Sequence, residues 1–316
     1  MLSIIIPVYN EEKMLPITIA AISDLLDKAS IEYELVFVDD GSKDDSWEII
    51  TSLSSNNPHI RAVSFSRNFG KESAMLAGLA YAKGDACVII DADLQFPPEK
   101  IIEMHELWKQ GYKVVEGVKT SRGHESILHR FSAKVFYNII SRAVGLDMQN
   151  ASDFRLLDRE VVNTILKMPE KQIFFRGISS WVGYKSTRLE FDVHERQQGT
   201  SKWSFGSLIK YAVNNITSFS SAPLWLVTFA GILYLIFAII FSIYTLVMFL
   251  VNNAVEGFST VIILILLTGS IMMLAIGIIG YYISKIFEEV KARPRYIIEN
   301  KIENETEAKI SKEEAK

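Results

Sequence analysis

Two long uncharged runs near the C-terminal end constrain this chain more than any other feature. Residues 224–251 and 257–284 each contain 28 residues without a formal charge. As helices, each would span about 42 Å, more than the ~30 Å hydrocarbon core of a bilayer. One such run can be the buried helix of a soluble protein. Two in succession, separated only by residues 252–256, predict a transmembrane hairpin. The linker holds no Lys or Arg, whereas Lys202 and Lys210 precede the runs and Lys285, Lys291, Arg293 and Arg295 follow them. The positive-inside rule places both flanks in the cytoplasm, as expected of a multi-pass protein of the cell (inner, cytoplasmic) membrane. The apolar start, residues 2–8, is brief, lacks a basic leader and runs into Asn10-Glu11-Glu12, so it does not read as a signal peptide.

Composition adds exclusions. A mean hydropathy of +0.19 rules out a disordered chain, and a net charge of −4 gives no bulk electrostatic grip on nucleic acid. The single cysteine, Cys87, excludes an intrachain disulfide and lies in the apolar run 86–90, where it reads as a small buried hydrophobe.

Residues 1–204 alternate short apolar, β-branched runs (2–7, 34–38, 61–65, 86–90, 113–116) with amphipathic stretches such as Leu15, Ile19, Ile22 and Leu26. That alternation predicts an α/β domain with a mostly parallel sheet covered on both faces, in which ligands bind beyond the carboxyl ends of the strands. Acidic motifs fall at those ends: Pro7-Val8-Tyr9-Asn10-Glu11 after the first run, Asp39-Asp40-Gly41-Ser42 after the second, Asp91-Ala92-Asp93-Leu94-Gln95 after the fourth. Asp40-Gly41-Ser42 also suits an ordinary turn, with Ser42 or Asp44 capping the next helix. Asp91 and Asp93 are spaced to share a hard divalent cation, Mg²⁺ or Mn²⁺, with Gln95 as a third oxygen donor.

These motifs resemble glycosyltransferase family 2. Together with Ser66-Arg67-Asn68-Phe69-Gly70-Lys71, Ser152-Asp153-Phe154-Arg155 and Glu195-Arg196-x-x-Gly199-x-Ser201-Lys202-Trp203, they resemble more narrowly the polyprenyl-phosphate glycosyltransferases. That group includes dolichol-phosphate mannose synthases and bacterial bactoprenol glucosyltransferases, and the two-span hairpin fits the bacterial type. The resemblance covers about residues 1–290. It implies a GT-A (Rossmann-like) catalytic domain, a nucleotide-sugar donor, a divalent metal, a lipid-phosphate acceptor and an inverting displacement at the anomeric carbon.

Carried over residue by residue, it places Pro7, Tyr9, Glu11 and Asp40 at the nucleoside, and Asp91, Asp93 and Gln95 around the metal and diphosphate. Arg67 and Lys71 match a basic loop near the donor, though solvated loop charges are the plainer reading. Lys119 stands where the family usually has Arg, so either Lys119 or Arg122 faces a phosphate. Asp153 matches a residue regarded as catalytic base or acceptor-site organiser. Its plainer reading is a pair with Arg155, just as Asp158 reads as the cap of a helix starting at Arg159. Arg196, Ser201 and Lys202 precede an amphipathic stretch, residues 205–222, suited to the membrane interface, and they match the acceptor-phosphate side. Simple anchoring to anionic lipid is the alternative for Lys202.

The expected organisation is therefore a catalytic domain (1–204), an interfacial region (205–222), two spans within 223–285 and a charged cytoplasmic tail (286–316). From residue 299 onward that tail has ten charged residues in eighteen and reads as solvated chain. The resemblance favours UDP-glucose as donor, with UDP-GlcNAc or GDP-mannose as alternatives, and undecaprenyl phosphate as acceptor, for modifying cell-envelope glycans. It leaves room for a homo-oligomer and implies a downstream flippase and a second glycosyltransferase. A processive polysaccharide synthase would carry a Gln-x-x-Arg-Trp motif and more spans. A non-catalytic membrane module would not need Asp91, Asp93, Gln95 and Lys202 intact.

Overall fold

The computed structural model describes residues 1–120, 151–170, 174–192, 222–251 and 257–303. The chain divides into two compact units, Met1–Ser204 with Arg293–Lys316, and Phe205–Ala292.

The first unit is built on one eight-stranded sheet. The strands are β1 (Leu2–Val8), β2 (Tyr33–Asp39), β3 (Ile60–Phe65), β4 (Ala86–Ile89), β5 (Val114–Lys119), β6 (Ala151–Asp158), β7 (Ser186–Phe191) and β8 (Ile298–Ile302). Their order is β7-β5-β6-β4-β1-β2-β3-β8. The central strands β1, β2, β3 and β4 pair in parallel. They are buried at nearly every position instead of at alternate ones, because helices cover both faces. Those helices are α1 (Leu15–Lys28), α2 (Ser46–Ser54), α3 (Lys71–Tyr81), α4 (Lys100–Lys109), α5 (Arg159–Leu166) and α6 (Phe175–Trp181). Helix α3 lies close on β1 because Gly78 has no side chain: a Cβ there would collide with Ile5. Cys87 is buried and unpaired, and burial pushes its thiol up to about 12, as expected of an inert core residue.

Two strands break the parallel pattern. β6 runs antiparallel to β4 and β5, and β8 runs antiparallel to β3. β8 falls within the segment read from the sequence as a solvated tail. Its residues Ile298-Glu299-Asn300-Lys301-Ile302 instead form the polar edge of the sheet, with the charged positions outward and exposed. Tyr296 stacks on Phe65, and Tyr81 donates to Glu303 at 2.8 Å. Polar residues suit an edge strand, which presents one side to solvent. Asp158 caps α5 as expected, accepting the Glu160 N–H at 2.9 Å.

The second unit contains α7 (Ala222–Leu250) and α8 (Phe258–Val290). Within them Val227–Met248 and Thr260–Val290 are long and apolar enough to cross a membrane, and none of that length is buried by protein. Large apolar side chains such as Trp225, Phe229 and Met273 are exposed, which a water-soluble core helix would not tolerate. The helices touch midway through a Tyr234–Thr268 hydroxyl hydrogen bond. α8 runs past the predicted end at Ser284 into Lys285, Glu288 and Glu289, because charge ends a span without ending a helix.

Candidate active site

The carboxyl ends of β1, β2 and β4, with the loop after β3, converge at one edge of the sheet. The first two loops are stitched together by side chains. The Asn10 amide N–H is given to Ser42 Oγ (2.9 Å) and the Lys43 N–H to Asn10 Oδ1 (2.8 Å). Glu11 donates its N–H to Ser46 Oγ at 3.0 Å. Asp44, not Ser42, receives the first amide of α2, from Ser46 at 3.2 Å. Asp39 and Asp40 are buried. Asp39 accepts from the Ser42 amide and the Ser64 hydroxyl. Asp40 accepts the amides of Phe69 (2.6 Å) and Gly70 (2.9 Å) and so holds the loop leading to α3. Burial raises the Asp40 pKa, and those two amides lower it by less. Gly41 is required at this junction: its φ is +65°, and a Cβ would meet the Arg67 backbone at 2.5 Å. Of the residues expected at the nucleoside, Tyr9 is the exposed one, Pro7 and Glu11 are half-buried, and Asp40 is engaged in holding the loop.

At the end of β4 the chain turns sharply. Leu94 adopts φ +53°, a left-handed conformation that branched apolar residues avoid, and Asp93 Oδ1 accepts the Gln95 amide at 3.2 Å. Asp91 lies just before this turn. The antiparallel register Ala86↔Asp158 to Ile89↔Arg155, continued two residues, sets Asp91 opposite Asp153. Lys71, the first residue of α3, enters between them. Its Nζ lies 2.6 Å and 2.8 Å from the two Asp91 oxygens and 3.0 Å from Asp153 Oδ2. Arg176, on α6, holds Asp153 in a fork, Nε to Oδ1 at 2.7 Å and an η nitrogen to Oδ2 at 3.0 Å.

The charges in this cluster act strongly on one another. Burial would raise Asp153, but Lys71 and Arg176 outweigh it and hold the carboxyl well below the usual range. Asp91 is raised, by burial first and by Asp153 and Asp93 next, against the pull of Lys71. Desolvation works against the Lys71 ammonium, yet Asp153 and Asp91 keep it above the ordinary lysine value. Glu72, beside Lys71 on α3, faces the Phe175 amide, and burial and then Asp153 push its carboxyl up to about 7.

The expected Asp153–Arg155 pair does not form. Arg155 is fully buried and stands directly across the β5/β6 register from Glu116, which takes it at 3.3 Å; it also donates to Ser179 and to the Arg176 carbonyl. Asp153 is left to Lys71 and Arg176. Arg67, expected with Lys71 near the donor, is exposed and lies over the Phe69 ring. Lys119 ends β5 with its ammonium 5.4 Å from the Phe96 ring centre. Arg122, Arg196, Ser201, Lys202 and the segment 205–221 lie outside the described residues. Sequence reasoning missed Arg176 and Glu72. The signal for Arg176 was a lone charge in the apolar stretch from Phe174 to Trp181; nothing marked Glu72.

The donor set suits a hard cation. Asp91 and Asp93 offer carboxylate oxygens at one strand end, and among the described residues the carboxyl groups of Asp91, Asp93, Asp153 and Glu72 act on one another beside Lys71 and Arg176. Among the described residues, no three His, Cys, Asp or Glu side chains converge as a preformed metal cage. A cation here would therefore take two carboxylates and complete its shell with substrate oxygens, as Mg²⁺ does beside phosphates.

An α/β sheet with a parallel centre and acidic loops at the carboxyl ends of its strands has the layout of a ligand site beyond the strand ends, and comparison gives the family. The sequence model described as "Glycosyl transferase family 2" matches residues 3–166. The chain is 42% identical to the Bacillus subtilis uncharacterized glycosyltransferase YkcC over 94% of its own length and 93% of that protein. It is 38% identical to an Escherichia coli prophage bactoprenol glucosyl transferase homolog over 94% and 98% of the two chains. Among solved structures, a glucosyl-3-phosphoglycerate synthase from Mycobacterium tuberculosis, crystallised with Mn²⁺, UDP-glucose and phosphoglyceric acid, superposes with a TM-score of 0.52. It is 21% identical over 69% of this chain and 79% of that one, a likeness of fold. The chain belongs to glycosyltransferase family 2, has the GT-A fold and is a glycosyltransferase.

Proposed function

We propose that this enzyme moves a hexose, glucose from UDP-glucose, onto polyprenyl (undecaprenyl) phosphate in a single inverting, in-line displacement. The observation that carries this reading is the state of Asp153. Both its oxygens are held by cations and its carboxyl stays ionised, so it is poorly placed to take a proton from a hydroxyl acceptor. A phosphate monoester, with a second pKa near ~6, needs no general base. What it needs is positive charge, because two anions must meet, and Lys71 and Arg176 supply it beside the candidate metal carboxylates. Asp153 then acts by orienting Arg176 and Lys71. Asp91 and Asp93, with Gln95 beside them, would hold Mg²⁺ or Mn²⁺, which supplies charge neutralisation for the departing diphosphate. Either Lys119 or Arg122, together with Arg196, Ser201 and Lys202, is assigned to the phosphates, and Pro7, Tyr9 and Glu11 to the nucleoside. The relatives support the acceptor: proteins named bactoprenol glucosyl transferase align with 94–95% of this chain, including both apolar helices.

Connectivity supports a membrane hairpin. The chain leaves the first unit at Phe205 and rejoins it by Arg293, and β8 pairs in the same sheet as the site. A chain crossing a bilayer between those points crosses an even number of times, and α7 and α8 supply two crossings. With the positive-inside bias, the catalytic unit is cytoplasmic. The test is a pair of acceptors, undecaprenyl phosphate and the free alcohol undecaprenol. The reading expects transfer to the phosphate alone; equal transfer to the alcohol contradicts it.

A further inference from the structure

We propose that Lys71 competes with the divalent cation for Asp91 and so ties metal binding to the arrival of the donor's diphosphate. The inference rests on the metal reading given above. The ammonium lies across both Asp91 oxygens, at 2.6 and 2.8 Å, while also reaching Asp153 at 3.0 Å. A dication coordinated to Asp91 at about 2.0–2.2 Å would stand within a few ångströms of that ammonium, and like charges so close repel strongly. One of the two must leave Asp91.

Lys71 can leave. Its side chain is 41% exposed and its stem is flexible. Asp153 does not depend on it alone, since the Arg176 fork holds both Asp153 oxygens. The displaced ammonium needs a new anion within reach of Asp153, and a diphosphate on the metal is such an anion. Metal alone must break an ion pair to bind, whereas metal with nucleotide exchanges one ion pair for another. Arg67 does not share this role, because it lies over Phe69.

The test is Mn²⁺ titration of the purified full-length protein followed by electron paramagnetic resonance, without nucleotide and with UDP or GDP. Lys71→Gln should bind Mn²⁺ alone about tenfold more tightly than wild type. The factor by which nucleotide tightens Mn²⁺ should fall by a similar amount, within the usual range for coupled sites. Lys71→Arg keeps the charge and grips a carboxylate with two N–H groups, so it should bind Mn²⁺ alone more weakly than wild type. Equal Mn²⁺ affinity in wild type and Lys71→Gln overturns the proposal while leaving the metal reading in place. If Lys71→Gln does not fold, equal or tighter binding by Lys71→Arg overturns it in the same way. A wild-type protein that takes up no Mn²⁺, with or without nucleotide, overturns the metal reading and this inference together.

Discussion

Glu72 gives the sharpest quantitative expectation. Its carboxyl moves from 4.5 to about 7 on folding, burial being the largest cause and Asp153 the next, with Arg176, the Phe175 amide and Lys71 pulling the other way. Each tenfold in an acid constant is about 1.4 kcal/mol, so ionising this group costs the fold at most about 3.5 kcal/mol. Relaxation and water at a half-buried position reduce that to about 1–2 kcal/mol. The sign follows from proton counts. Between pH 4.5 and 7 the native state binds more protons than the unfolded chain, so stability falls as pH rises through this window. Below it the carboxyl is neutral in both states and costs nothing. Glu72→Gln keeps an oxygen for the Phe175 amide and removes the charge. At pH 8 it should melt higher than wild type by about 3–6 °C, and near pH 4.5 the two should coincide. Thermal melts of both proteins across pH 4.5–8 measure this. A gain that is absent at pH 8, or equal at both ends, refutes the reasoning.

Three further outcomes follow. Asp153→Asn, which leaves Arg176 and Lys71 without their shared carboxylate, should cut transfer at least about a hundredfold without removing an acidic limb from the pH–rate profile; loss of such a limb would mark Asp153 as a base after all. Arg61→Met strands Glu34, which is buried with it in a 3.0 Å ion pair and also accepts from Ser3, so it should cost about 3–5 kcal/mol in denaturant unfolding; a cost under about 1 kcal/mol would show that the pair matters little. Cysteines placed at Asn253 and Lys312 should label oppositely with an impermeant reagent in intact cells, Asn253 reacting and Lys312 protected; the reverse pattern would turn the hairpin over.

Local pattern made part of this molecule legible. The five apolar runs became β1 to β5, because a strand buried on both faces needs continuous hydrophobicity. Asp91 and Asp93 stood out because carboxylates rarely follow such a run without a use. What pattern could not supply was register across the chain. Asp153 meets Lys71 and Arg176 only because β6 runs antiparallel beside β4, a pairing that nothing local in residues 151–158 announces. Arg155 sits two residues away on the same strand and looked like the natural partner, but Glu116 opposite it on β5 was nearer. β8 was hidden for the opposite reason: an edge strand with charges facing outward has the composition of a solvated tail.

The central claim is metal-assisted transfer of hexose to a lipid phosphate. It is tested most directly by incubating the purified protein with undecaprenyl phosphate, Mn²⁺ and radiolabelled UDP-glucose beside UDP-GlcNAc and GDP-mannose. The organic-soluble product is then collected and its anomeric configuration read by NMR. The account predicts a glucosyl phospholipid formed from UDP-glucose, with the donor's α linkage inverted to β and no product in excess chelator. A retained α linkage, full yield in chelator, or no labelled lipid from any of the three donors would contradict it.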